Sequence, residues 1–203
     1  MDRRSFLLAP LALAALGGRV QAAPIPLADI SGYFNGFQTA QASFTQVNPD
    51  GTLTTGRVYI RRPGRMRFEY DPPDASLVIA AGGQVAIFDP RPNTEPVSYP
   101  LSRTPLNLIL APQVDLTRAR MVVAHREEAN TTIVVAQDPD HPEYGTLQLV
   151  FTRPTELRQW KVTDDSGRET TVILGDFRTD VQLSARLFDI SAAAEARQPT
   201  SQR

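Results

Sequence analysis

The residues best suited to specific chemistry are five arginines crowded into one short segment: Arg57, Arg61, Arg62, Arg65 and Arg67. Guanidinium groups bind carboxylates, phosphates and backbone carbonyls through a fixed fork of N–H donors. Four of the five have odd numbers and follow the alternation of a β-hairpin. This pattern predicts that those four lie on its solvent face without a specific function. Arg62 has the opposite parity, which it shares with the apolar Val58 and Ile60.

Two placements of Arg62 fit this pattern. In the first, the adjacent Pro63 breaks the strand register, and Arg62 is an ordinary turn residue. In the second, Arg62 points inward with Val58 and Ile60, at the mouth of an apolar concavity. An unpaired buried charge is prohibitively costly, so the guanidinium would then need acceptors. The free carbonyls at the C-terminal end of a helix would supply them.

The other polar residues show no pattern that is typical of a catalytic or metal site. His125 and His141 lack metal-ligand spacing to each other or to carboxylates. The acidic segment 138–145 is compatible with calcium binding, although a solvated loop is the simpler interpretation. Asp164 and Asp165 open a predicted turn, where Asp is common. Because the sequence has neither a nucleophile elbow nor a Gly-rich phosphate loop, we expect no enzyme activity, no cofactor and no metal.

The first 22 residues are predicted to be an export signal. Arg3 and Arg4 precede an apolar run over residues 6–16, which is too short to span a bilayer, and small residues then mark a cleavage site near Ala22. An ordinary secretory signal and a twin-arginine signal both fit. We expect residues 23–190 to form one domain and residues 191–203 to be a flexible tail.

Composition excludes cysteine chemistry and argues against nucleic-acid binding. The chain has no cysteine, which excludes disulfides, thiol chemistry and a lipid anchor on cysteine. Its formal net charge is −1, and loss of residues 1–22, which hold three arginines and one aspartate, leaves −3. A mildly acidic exported protein lacks the basic footprint of a nucleic-acid-binding protein.

Short β-segments separated by turn sequences dominate the chain from residue 43 onward. The turns are rich in Gly, Pro and Asp, which is typical of hairpin connections. The predicted strands cover residues 43–48, 53–61, 65–70, 76–81, 84–89, 95–99, 119–127, 131–137, 146–152, 157–163 and 169–177. Strands joined by tight turns are antiparallel, so this series predicts one large, curved sheet. Alternation along 65–70 and 146–152 gives the sheet one apolar and one polar face.

Two segments are predicted to be helices that cover the apolar face. Residues 26–39 carry an apolar stripe at three-to-four spacing. Residues 104–112 are rich in leucine and begin with Thr104 as N-cap and Pro105 at the first helical position. The sequence leaves two arrangements open: an incomplete barrel with a helical lid over a cavity, and a sheet packed tightly on its helices without a cavity.

The order of these motifs resembles the LolA family of periplasmic carriers of outer-membrane lipoproteins. The matching pieces are Phe44-Thr-Gln46, the block 56–70 with Pro73, the turn at 82–83, Phe88-Asp-Pro90, 100–101, 104–106, 164–167 and Phe188. The block 56–70 is the most specific of them, and together they span nearly the whole chain after the export signal. The Pro-x-Gly common near the end of the family is absent after Phe188, and Met66 stands where a bulkier aromatic is frequent.

The resemblance implies a mainly β (α+β) fold: an unclosed antiparallel half-barrel of about eleven strands with a lid of short helices over a hydrophobic cavity. It also implies that Arg62 bonds to the lid and helps to hold it closed. We expect the cavity to be lined by apolar residues of the sheet and the lid: Phe44, Val58, Ile60, Met66, Phe68, Tyr70, Leu106, Ile109, Leu110, Leu147, Leu149 and Phe151.

The implied function is a periplasmic carrier, expected to be a monomer, that binds the acyl chains of lipoproteins. The implied donor is an ATP-driven, ABC-type release complex of the inner membrane, and the implied acceptor is an outer-membrane lipoprotein receptor. One alternative is a sensor of lipids or lipoproteins, or another periplasmic lipid-binding protein, on the same half-barrel. Another is a hydrolase that cleaves acyl esters.

Overall fold

The computed structural model describes residues 23–91, 94–104 and 106–197. The predicted export signal at 1–22 and the last six residues of the predicted flexible tail lie outside the described residues.

Eleven strands form a single antiparallel sheet. Their bounds are β1 Thr39–Val47, β2 Leu53–Arg61, β3 Arg65–Tyr70, β4 Leu77–Ala81, β5 Gln84–Phe88, β6 Val97–Pro100, β7 Val122–Glu128, β8 Thr131–Gln137, β9 Thr146–Thr152, β10 Glu156–Thr163 and β11 Glu169–Thr179. Their order across the sheet is β6-β5-β4-β3-β2-β1-β11-β10-β9-β8-β7. Pairing of β1 with β11 joins the two halves, and β6 and β7 are the open edges. The prediction of an unclosed antiparallel sheet of about eleven strands is confirmed.

In the described part of the chain, three α-helices accompany the sheet: α1 Leu27–Asn35, α2 Asn107–Leu110 and α3 Ile190–Arg197. The first is shorter than the predicted helix at 26–39. Gly36 closes it by donating its N–H to the carbonyl of Tyr33 at 3.3 Å, and from Thr39 onward the chain pairs with β2. Of the predicted helix at 104–112, Asn107–Leu110 is α-helical. No helix among the described residues is long and apolar enough to cross a membrane.

The sheet buries apolar side chains on both of its faces. Its inner face, covered by α1 and α2, holds the main hydrophobic core. Its outer face carries a smaller cluster of Leu77, Ile79, Ala86 and Phe88, against which Ile190, Ala193 and Ala194 of α3 pack. Burial on both faces explains why β4, and β5 after Gln84, are apolar instead of alternating.

Residues 191–197, placed by the sequence in a flexible tail, therefore belong to a docked helix. The Asp189 side chain caps α3 by accepting the N–H of Ala192 at 2.9 Å, and alanine has the highest helix propensity of all residues. Arg197 anchors the far end by donating to the carbonyls of Ala75 and Asp89 at 2.8 and 3.1 Å. The weak apolar periodicity of this segment hid the helix from the sequence analysis.

Candidate functional site

The structure gathers all twelve predicted cavity residues into one hydrophobic cluster. Ten of them are buried, whereas Tyr70 and Leu106 are half-buried at its margin. Strand register produces this convergence, because Val58 lies opposite Phe68 and Ile60 lies opposite Met66. On the other half of the sheet, Leu147, Leu149 and Phe151 share the inner face of β9.

Side chains of the two helices cover this face. Ile30 and Phe34 of α1 and Ile109 and Leu110 of α2 are each at most 3% exposed. The Phe34 ring meets the edge of Phe151 with centroids 5.9 Å apart, which is a favourable aromatic geometry. We call α1 together with residues 106–116 the lid.

Little open space borders the described side chains of the inner face in this conformation. Side chains on the inner face, from Val58 and Phe151 at 0% exposure to Phe68 at 7%, pack directly against one another. The structure thus matches the tightly packed alternative of the sequence analysis. Burial of four apolar lid side chains stabilises this arrangement by on the order of 10 kcal/mol.

Trp160, Leu174 and Val172 lie on the inner face, yet the sequence analysis did not assign them to the site. A β-bulge shifts the register of β10 between Leu157 and Gln159, so Leu157 and Trp160 both point inward although their numbers differ in parity. Strict alternation cannot detect such a shift. The Trp160 ring meets Phe68 edge-to-face at 6.0 Å, which places it at the centre of the cluster.

Arg62 points inward and binds the lid, so Pro63 does not turn it towards solvent. The residue is 8% exposed. Its guanidinium donates to the carbonyl of Phe34 in α1, to the carbonyl of Ala111 at 2.8 Å and to Oδ1 of Asn35 at 3.3 Å. These carbonyls lie at the C-terminal ends of α1 and α2, where helices leave carbonyls unsatisfied.

The charge of Arg62 meets only neutral acceptors. No carboxylate in the described part of the chain lies within salt-bridge distance of it, and burial lowers the pKa of the guanidinium. Its Nε is buried without a hydrogen-bond partner. We call Arg62 the latch, because its hydrogen bonds join the sheet to both parts of the lid. Its buried charge has no carboxylate partner, and desolvation of that charge costs free energy.

Asn35 and Ser31 connect the two parts of the lid to each other. The side chain of Asn35 donates to the Val114 carbonyl at 2.8 Å and accepts the Val114 N–H at 3.0 Å. It thus exchanges the same two hydrogen bonds with Val114 that a backbone residue of an adjacent β-strand would. The Ser31 hydroxyl accepts the N–H of Leu116 at 2.9 Å. These bonds couple α1 to the segment after α2, so the lid behaves as one body.

The start of α1 is fixed to the opposite side of the sheet. The N–H of Ile25 donates to Thr132 Oγ1 at 2.8 Å, and Nε2 of His125 donates to the Ile25 carbonyl at 2.9 Å. Ile25 and Thr132 are nearly fully buried. The lid is thus tethered at its N-terminal end near β7 and β8 and latched at its other end by Arg62.

Thr132→Val, a change of nearly equal volume, is expected to lower the free energy of unfolding by about 1–3 kcal/mol, because the buried Ile25 N–H loses its acceptor. Urea unfolding measures the change, and Thr45→Val on the outer side of β1 is the control. Equal stability of the two variants would show that the tether contributes nothing.

Two of the four outer-face arginines have backbone partners, whereas the alternation pattern predicted a solvent face without a specific function. Arg67 donates to the carbonyl of Leu187 at 2.8 Å, and Arg61 approaches that of Leu183 at 3.4 Å. Both are half-buried under the segment that leads to α3. Their function is to hold that segment on the sheet.

Comparison with known proteins gives a consistent result. The family model described as "Outer membrane lipoprotein carrier protein LolA" matches residues 35–191. An outer-membrane lipoprotein carrier protein of Pseudomonas aeruginosa is 26% identical over 168 residues, covering 78% of this chain and 80% of that protein. One from Coxiella burnetii is 24% identical over 186 residues, covering 87% and 88%. A solved LolA superfamily structure from Nitrosomonas europaea aligns at 10% identity with a TM-score of 0.42, covering 82% of this chain and 99% of that one.

Proposed function

The chain belongs to the LolA family of outer membrane lipoprotein carrier proteins, and we propose that it shields the acyl chains of lipoproteins under its lid while they cross the periplasm. The observation that carries the proposal is the inner hydrophobic face beneath a lid to which the buried guanidinium of Arg62 is hydrogen-bonded. The domain that performs this function comprises residues 23–190, with α3 as its C-terminal extension.

The energetics require a carrier that binds reversibly. At ~0.8 kcal/mol per methylene, a lipoprotein with several acyl chains loses on the order of 30 kcal/mol when it enters water. Such a molecule does not cross an aqueous compartment unaided. A site that bound the chains as strongly as a membrane does would never release them. Closure of the lid over its own side chains supplies a competing state that favours release.

Membership of the LolA family supports a delivery pathway that uses this competition. Cargo is received from an ABC-type release complex of the inner membrane, where an external energy source opens the lid, and is passed to a lipoprotein receptor at the outer membrane. The chain itself is a carrier without catalytic function, working as a monomer in the periplasm. Each acyl chain that leaves allows lid side chains such as Phe34 and Leu110 to return to the inner face.

The proposed function is tested by complex formation with the acylated and the deacylated form of one lipoprotein. The purified protein is expected to form a soluble one-to-one complex with an acylated lipoprotein and none with the same lipoprotein after deacylation. Size-exclusion chromatography with light scattering measures both. Equal binding of the two forms would place recognition on the polypeptide and refute the proposed function.

A further inference from the structure

The outer face contains a hollow that the carrier function does not use. It lies between α3 and the strands β3 and β4, and its volume is about 660 Å³, which is within the range of small-molecule sites. Its apolar wall is formed by Leu77, Leu187 and three alanines of α3. Tyr70 borders both this hollow and the inner hydrophobic cluster.

The alanines explain why the space is open. Ala192, Ala193 and Ala196 line the hollow, and their methyl groups leave space that larger side chains would fill. A helix that served only to cover an apolar surface would gain about 1.5–3 kcal/mol from each leucine it buried there. Besides the contacts of Ile190, Ala193 and Ala194 with the sheet, α3 is held at its ends, through the Asp189 cap and through Arg197.

The rim of the hollow has an excess of positive charge. Arg67, Arg186 and Arg197 line it together with a single carboxylate, that of Glu69, which Arg67 already binds at 2.6 Å. Arg197 donates to two backbone carbonyls, which occupy one N–H of each terminal nitrogen and do not neutralise its charge. Burial and, secondly, repulsion from Arg67 lower the pKa of Arg197. The nearby carboxylate of Asp89 is occupied by Arg91 at 2.8 Å.

From this combination of an apolar wall and uncompensated guanidinium groups, we propose that the hollow binds an amphiphilic anion, a carboxylate or phosphate attached to a short hydrocarbon body. The anion lies between Arg186 and Arg197, and the hydrocarbon lies along Leu77 and the alanines of α3. Arginine is the side chain best suited to both anions because its fork of donors matches their oxygens. This site is separate from the acyl-binding face and can be occupied at the same time.

Titration calorimetry with octanoate, octyl phosphate and octanol tests the proposal. The two anions represent a fatty acid and a lipid phosphate as sources, and whichever binds more tightly identifies the class. Octanol is expected to bind at least tenfold more weakly, a difference of about 1.4 kcal/mol. Ala192→Leu, which fills the hollow, is expected to abolish binding, and Arg186→Gln to weaken it about tenfold. Ser191→Leu, on the exposed side of α3, is the matched control and keeps wild-type affinity.

Thermal unfolding of Ala192→Leu shows whether the variant is folded, and we expect a midpoint no lower than that of the wild type. The measurement is repeated on protein loaded with acylated lipoprotein, where the affinity for the probe is expected to be unchanged. Loss of probe binding on loading would assign the probe to the inner face and overturn the proposal. Equal affinity for octanol and the anions, or full binding by folded Ala192→Leu, would overturn it as well. The measurements on unloaded protein, with octanol and with Ala192→Leu, do not depend on whether lipoproteins are the cargo of the inner face, so the site can fail while the proposed function holds, and the reverse.

Discussion

Arg62→Leu is expected to slow the transfer of acylated cargo from the loaded protein to acceptor vesicles by about 100-fold, with loaded protein accumulating. The substitution removes the donors that satisfy the carbonyls of Phe34 and Ala111. Unsatisfied buried carbonyls cost about 1–3 kcal/mol each, so the closed state loses on the order of 3 kcal/mol. Because closure competes with bound chains, weakening the closed state strengthens cargo binding by the same amount.

Transfer of a fluorescent acylated peptide gives the rate directly. Arg62→Lys retains the charge but not the fork of donors, and an intermediate rate is expected for it. Arg65→Leu, which removes a guanidinium from the outer face of the same hairpin, is the control and should transfer like the wild type. An unchanged transfer rate for Arg62→Leu would contradict the latch.

Asn35→Ala is expected to uncouple the two parts of the lid while leaving the sheet intact. It removes both bonds to Val114 and one acceptor of Arg62. The Val114 N–H and carbonyl then lack partners, which costs about 2–4 kcal/mol in total. Amide protons in α1 and at Val114 and Leu116 should exchange with deuterium at least 30-fold faster, whereas those of β2, β9 and β10 should change little.

Hydrogen exchange followed by NMR resolves these regions. Asn107→Ala, at an exposed position of α2, is the matched control and should exchange like the wild type. Acceleration of equal size in lid and sheet would mean that Asn35 stabilises the whole fold instead of the lid, and the account of the lid as one coupled body would fail.

The sheet was predictable because its signals are local. Turn residues marked the hairpins, and alternation assigned Met66, Phe68 and Leu149 to the inner face. The prediction weakened where β-structure departs from strict alternation, as at the bulge of β10, and where a strand is buried on both faces, as β4 is.

The latch was only partly predictable. The even residue number that Arg62 shares with Val58 and Ile60 allowed an inward placement. Its acceptors, however, lie 28 and 49 residues away in sequence. The bonds of Asn35 to Val114 span 79 residues, and no local pattern distinguishes this asparagine from a helix C-terminal residue with a solvated side chain. Long-range polar contacts of this kind depend on the assembled fold.

Closure of the site is also a property of the assembled fold. The residues that line the inner face are equally suited to contact hydrocarbon or one another, so composition does not determine whether they enclose space. In the structure they contact one another and the lid, and Phe34 and Leu110 are buried against them. Under the proposed function, binding exchanges these lid side chains for cargo, and the Arg62 latch sets the balance.

The sole tryptophan of the chain reports on that exchange without any modification. Trp160 is 2% exposed at the centre of the inner face. A lipoprotein whose acyl chains carry bromine atoms near their middle is expected to quench most of the Trp160 fluorescence on binding, because bromine quenches only at close range. The same lipoprotein with unlabelled chains should not. A stable complex with brominated cargo in which the emission of Trp160 is undiminished would show that the chains bind elsewhere, and would contradict the central claim.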